Sequence, residues 1–360
     1  MLSERFSDDN QTTRFVSKNI INYFLNINNV FNHRYAYQAY IQNTFYANKQ
    51  YKDTALTSVA YFGDEGGSFQ SCFTSIDDIK KVQNVLSRWK LTSTSDWADL
   101  TGPILIPFFD SENFLLNNMN LDIEFVRNTP EFILYDETTG VNYKIEIRNP
   151  NLTVRRYKPS APFLKSIVRN LEGTKSKYSY RNIDMKATNF PKALSRISIP
   201  NITTGQIPSR IIFAFVDSKA FKGDLKKNPF YFQHFNLTEV NLFVNSEKYP
   251  GIPMSYDFVN RLTSQGYDFY LEQLGMHQSK TNGISKYDYE KGYTIFVFDL
   301  TTDMSASEDH FSMIQTGDIN AEFTFSAPLA DELTCIIYTE FEKLIEIDHF
   351  RNVSTSEQIF

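Results

Sequence analysis

Apolar and polar residues alternate in short runs along most of this chain, which is the period of half-buried β-strands. Ile211, Phe213 and Phe215 alternate with smaller residues, and Val240, Leu242 and Val244 alternate with Glu239, Asn241 and Phe243. In the first half the same pattern predicts strands at 20–30, 85–91, 102–109, 120–127, 131–135, 142–148 and 152–157, with a hairpin turn at 136–140. In the second half it predicts strands at 181–190, 195–199, 293–300, 318–325 and 333–347. Residues 35–47 read as a short helix, and the Ser75-Ile76-Asp77-Asp78 sequence as the cap of a helical turn through Lys81. The β pattern breaks near the midpoint. Lys158-Pro159-Ser160-Ala161-Pro162 is followed by Phe163, Leu164, Ile167, Val168 and Leu171 at helical spacing, and Gly173 ends the run. Two sets of short strands on either side of one helix predict an all-β chain of two sandwiches or barrels.

Between the strands at 211–215 and 240–244 lies a loop dense in aromatic residues. Pro229, Phe230, Tyr231, Phe232, His234 and Phe235 are loop-core or subunit-interface candidates. So many rings outside regular structure must bury themselves, either under their own barrel or against another subunit.

Composition sharpens this picture. The chain has 360 residues, of which 15% are aromatic, a bias toward strands and contact surfaces. The net charge of −6 is mild but unevenly placed. Basic residues crowd 144–196, with Arg155, Arg156, Lys158, Lys165 and Arg169 as basic-face candidates, while acids dominate after Asp288. Such a division leaves three readings: two solvated faces, mutual attraction within or between copies, or a basic surface toward nucleic acid. Two cysteines, Cys72 and Cys335, make neither a disulfide scaffold nor a metal motif, and fit a reducing compartment. The polar N-terminus has no signal-peptide core, and no apolar run is long enough to span a bilayer.

Little in the chain signals catalysis. The five histidines form no metal-ligand set, and Glu308-Asp309-His310 reads as a solvated loop. There is no GxSxG elbow and no GxxxxGK[ST] phosphate loop, and the glycines at 63, 66 and 67 lack a strand–turn–helix setting. No catalytic, cofactor or metal residue is assigned. Trp89 and Trp97 sit beside apolar runs and are expected to be buried, which disfavours an aromatic platform for a glycan.

Several long blocks occur in an order that resembles one family. They are YAYQAYIQNTF from Tyr35, LTGPILIPFF from Leu100, FLLNNMNLDIEFVR from Phe114 and YKIEIRNPNLTVRRYKPSAPFL from Tyr143. They continue as SRIIFAFVDSKAFKGDLKKNPFYFQHFNLTEVNLFVNSEKYP from Ser209, NGISKYDYEKGYTIFVFDLTTDMS from Asn282 and YTEFEKLIEIDHFRNV from Tyr338. Together they resemble the major capsid, hexon-like proteins of Polinton or Maverick elements and their adintovirus-like relatives. The resemblance implies a double jelly-roll with no reaction and no cofactor. Its expected division is a first jelly-roll with a polar arm over 1–158, a helical connector over 159–180 and a second jelly-roll over 181–360. Only a short lead precedes the Tyr35 block, so the first jelly-roll is expected to be N-terminally incomplete. The resemblance further implies homotrimeric pseudo-hexagonal capsomers tiling an icosahedral shell around double-stranded DNA. Partners would be other copies, penton and minor capsid proteins and the packaged DNA. The location would be the virion, after assembly in the nucleus or cytoplasm of a host. Two alternatives stay open: a penton-like minor capsid protein, and a β-sandwich ligand-binding module retained by a host genome.

Overall fold

The computed structural model describes residues 3–4, 12–16, 33–63, 83–93, 98–111, 113–121, 123–134, 145–276, 280–308 and 310–356. In chain order the first half carries β1 (Ser3–Glu4), β2 (Thr12–Val16), α1 (Arg34–Ile41), α2 (Lys49–Asp53), α3 (Gln83–Ser93), β3 (Ile123–Val126), α4 (Pro130–Ile133) and α5 (Ala161–Gly173). A π-helical turn, Gln42–Tyr46, continues α1. Strands β1, β2 and β3 pair antiparallel in one small sheet.

From Ser176 the backbone becomes a jelly-roll. Its strands are β4 (Ser176–Phe190), β5 (Arg196–Gln206), β6 (Arg210–Asp217), β7 (Leu237–Val244), β8 (Glu247–Ser255), β9 (Ile295–Asp299), β10 (Thr316–Phe325) and β11 (Leu333–Ile347). One antiparallel sheet runs β4-β11-β6-β9 and the other β5-β10-β7-β8. The chain alternates between the sheets except at the β7–β8 hairpin, and the last two of these strands, β10 and β11, insert between earlier ones. That wrapped order is the double Greek key of a jelly-roll. A short β12 (Val353–Ser356) extends the first sheet by pairing with the end of β11. Helices α6 (Ser218–Lys222), α7 (Ser264–Gln273) and α8 (Lys286–Tyr289) sit in the connections.

The two sheets read differently because they are covered differently. In β10, Ile319, Ala321, Phe323 and Phe325 are buried while Asn320, Glu322 and Thr324 are not, as expected of a sheet with one wet face. A bulge in β5 opposite Asn320 interrupts the register, and the Asn320 Oδ1 accepts a hydrogen bond from the Asn201 amide at 2.8 Å. By contrast β9 is buried throughout, and β6 is buried except at its last residue. Phe213 and Phe215 face inward, with Phe323 at 5.1 and 5.0 Å between ring centroids. The paired residues Arg210 with Glu340, Ile212 with Tyr338 and Ala214 with Ile336 occupy the opposite, outer face. A largely apolar outer face needs a lid, and the α1 segment supplies it. Arg34 donates to the Ile183 carbonyl at 2.7 Å and pairs with Asp184 at 3.0 Å, while Tyr46 donates to Glu340 at 2.8 Å.

The helix expected over 163–171 and the second-half strands fall where the pattern placed them. Several first-half strands do not. Residues 85–91 form α3: Val85, Leu86 and Trp89 have i, i+1, i+4 spacing, and Gln, Leu, Arg and Lys favour helix. Residues 131–135 fall largely on α4, which Pro130 opens at its first position. Residues 102–106 are irregular and 107–110 a 3-10 turn, because Pro103 and Pro107 remove ladder donors. Residues 145–148 and 152–157 are also irregular, with most of their side chains in solvent. Trp89 is 38% exposed, against the expectation of burial. The expectations at 20–30, 75–81, 136–140 and Trp97 lie outside the described residues.

Candidate assembly surfaces

The aromatic loop joins β6 to β7, and its geometry begins with a cap. Asp217 accepts from the Lys219 and Ala220 amides at 2.7 and 3.4 Å, which starts α6, and it pairs with Lys227 at 2.5 Å. Burial alone would raise the Asp217 pKa, but these hydrogen bonds outweigh it and hold the carboxyl below its ordinary value. Asn228 then turns the chain by accepting from the Phe230 amide at 2.9 Å.

Phe232 is fully buried and tied into the jelly-roll through backbone bonds to Gly292, at 2.9 Å, and from Gln233 to Phe215, at 2.9 Å. Pro229 is buried, and Phe230, Tyr231, His234 and Phe235 are half-buried. Phe230 stacks on Tyr40 at 4.5 Å and meets Tyr37 and Phe132 edge-on at 5.4 and 5.6 Å. Tyr231 lies over Gly292, where a Cβ would sit 2.7 Å from its ring. The loop is therefore a gasket between the jelly-roll and the first-half segments α1 and α4. His234 stacks on Phe258 at 4.1 Å, and its Nδ1 accepts from the Asn236 amide at 2.9 Å, so the ring is neutral. Burial pushes its pKa down to about 4, against a weaker upward pull from Glu290.

A buried ionic cluster lies beside this gasket. Arg210 is 1% exposed, pairs with Glu340 at 3.4 Å, donates to Ser307 at 2.5 Å and lies over the Tyr46 ring at 5.2 Å. Tyr46 and Tyr338 donate to the same Glu340 oxygen at 2.8 and 2.9 Å. Burial alone would lower the Arg210 pKa, but Tyr46 and Glu340 outweigh it and hold the guanidinium charged. Burial raises both phenols, which therefore act as donors. The cluster couples four distant segments, at Tyr46, Arg210, Ser307 and Tyr338–Glu340, and offers no exposed reacting group.

The basic candidates are placed elsewhere. Arg155, Arg156 and Lys158 project from an irregular, exposed segment, and Lys165 and Arg169 from the solvent side of α5. Other basic residues of this stretch have partners: Lys175 pairs with Glu346 at 2.8 Å and Arg196 with Glu322 at 2.5 Å, while Lys186 donates to the Ile202 carbonyl at 2.6 Å. The acidic C-terminal part is not one face, since Asp299, Glu340 and Glu342 are buried. Among the described residues no three metal-ligating side chains converge, and no helix is long and apolar enough to cross a membrane. Sequence reading did not find the Arg210 cluster, because strand register joins Arg210 to Glu340 across 130 residues and Tyr46 and Ser307 reach them only through the fold.

No family model matches the chain. An uncharacterized protein of Caenorhabditis elegans, F54H12.2, is 24% identical over 330 residues, covering 88% of this chain and 74% of that protein. Among solved structures, the Sputnik virophage cryo-EM structure is similar over 52% of this chain and 40% of its own, with 14% identity and a TM-score of 0.34. The PBCV-1 virus capsid model is similar over 51% of each chain, with 8% identity and a TM-score of 0.32. The mavirus major capsid protein is similar over 52% of this chain and 42% of its own, with 10% identity and a TM-score of 0.29. The matched part thus spans about half or less of the length of these solved chains.

Proposed function

We propose that this chain is a shell-building capsid protein, with no reaction and no cofactor. The observation that carries the reading is the β4-β11-β6-β9 and β5-β10-β7-β8 strand order, a complete jelly-roll with long connections at its ends. A rigid sandwich holds such connections in fixed positions, as repeated identical contacts require. The collinear sequence blocks support the finer reading. In it the protein is a major capsid protein of double jelly-roll type, divided over 1–158, 159–180 and 181–360. Three copies form a pseudo-hexagonal capsomer of a double-stranded DNA virus or virus-like transposon of the Polinton, Maverick or adintovirus kind. Capsomers then meet each other and the penton and minor capsid proteins in the virion, after assembly in the host nucleus or cytoplasm.

One observation favours a second reading. Among the described residues the only complete jelly-roll is the one after Ser176, and a penton-type minor capsid protein needs one. Electron microscopy of the purified chain separates the two. Threefold particles that tile into sheets are expected, whereas fivefold rings favour the minor capsid reading and unassociated single particles overturn both.

A further inference from the structure

Residues 145–173 pass along the molecule with little attachment to it. Of the thirteen residues of α5 only Leu171 is buried. Phe163 and Val168 on its apolar side are 59% and 53% exposed, and Val154 and Tyr157 just before it are 58% and 63% exposed. An amphipathic helix owes its stability in water chiefly to burying that side, so a lid is missing from the isolated chain. The same stretch is strongly basic. Residues 145–173 hold a net charge of +4 inside a chain of net −6. None of Arg155, Arg156, Lys158, Lys165 and Arg169 has an ion-pair partner among the described residues.

A surface of opposite character lies in the β9–β10 connection. Its described residues carry the carboxylates of Asp303 and Glu308 and no Lys or Arg of their own, while Arg181 of β4 donates to the Glu308 and His310 carbonyls and Asp303 pairs with His310 at 3.1 Å. Met304 and Met313 on it are 43% and 83% exposed. Thioethers pack well against aromatic and aliphatic groups, and carboxylates suit guanidinium partners. Duplex DNA would neutralise the arginines but leave Phe163, Val168 and Val154 in water, since phosphates reward charge and not apolar area.

Resting on the shell-building reading, we propose that the basic 145–173 arm of one copy docks on the acidic, methionine-bearing β9–β10 connection of a second copy. The two surfaces differ, so the contact is head-to-tail and closes into a ring or continues as a tile.

The test compares sedimentation of the unaltered chain with R155E/R156E/R169E, with D303K/E308K and with the five changes combined. Each partial reversal is expected to weaken association at least a hundredfold, and the combination to restore most of it. Oxidation of V168C/M313C is expected to give cross-linked dimers and higher species, independently of any loop distortion. The proposal is overturned if the arm variant associates like the unaltered chain, or if no cross-link forms. It is also overturned if the arm variant keeps its mass and loses only a gel shift of duplex DNA, which would assign the arm to a polyanion. If the unaltered chain stays monomeric, the shell-building reading fails first; if it associates and the arm variant does too, only this inference fails.

Discussion

The second half of this molecule fills its own core and borrows only a lid from α1, while the first half is buried by the second. In the jelly-roll every strand finds cover in the facing sheet, so its core runs unbroken from Ile197 through Phe213 and Phe323 to Ile337. The first half contributes a few anchors to that same core, chiefly Tyr37, Ile41, Phe45 and Phe132. Around those anchors it leaves Phe114, Tyr157 and Phe163 in solvent. A domain that fills its own core and finds its lid within the same chain can be whole as a monomer. A segment with a few anchors and much exposed apolar area is built for contact with something else.

Four substitutions test this contrast, from the largest expected effect to the smallest. Phe215→Ala opens a hole at the crossing of the two sheets, where Phe215 is fully buried against Phe323 and Phe296. It should cost about 4 kcal/mol and unfold both halves in one denaturant transition. Separate transitions would show that the first half does not depend on the second.

Arg210→Met leaves Glu340 buried without its cation and should cost about 3 kcal/mol. Adding Glu340→Met should return much of that loss, because the stranded charge is gone. A double variant worse than the single one would contradict this account of the cluster.

His234 gives a pH signature. The folded state refuses a proton until about pH 4, whereas the unfolded chain accepts it near pH 6.5. Stability should therefore fall as pH drops from 6.5 to 4 and level off below, by about 2 kcal/mol after allowance for partial solvent exposure. His234→Phe keeps the stack on Phe258 and removes the titration, so the difference between the two pH curves isolates the effect. Parallel curves would mean that the ring is not held neutral.

Phe163→Ser, on the exposed side of α5, should change monomer stability by less than about 0.5 kcal/mol. A cost of more than about 1 kcal/mol would place that side against the chain itself and erase the contrast between the halves.

The contrast also explains what could be read from sequence. Strands β10 and β11 are legible because strand period and burial coincide along them. Strand β8 is hidden by Pro250, Gly251 and Pro253, which a sheet tolerates there because β8 is an edge. Helix α7 is hidden by Tyr267, Phe269 and Tyr270, aromatic residues that favour strands on composition alone. In the first half, helices and irregular segments dock by single anchors, so apolar residues recur without a sustained period. The gasket residues were visible as candidates, but their partners Tyr37, Tyr40 and Phe132 lie roughly a hundred or more residues away in the chain. The free state of the basic arm was visible only as charge. Its exposure required knowing that, among the described residues, no strand pairs with residues 152–157.

The mass of the purified chain in solution tests the central claim most directly. Sedimentation over a concentration series should give a species of three times 41.8 kDa that persists on dilution and weakens with salt as the basic arm is screened. A single species of 41.8 kDa at every concentration and salt would contradict the account.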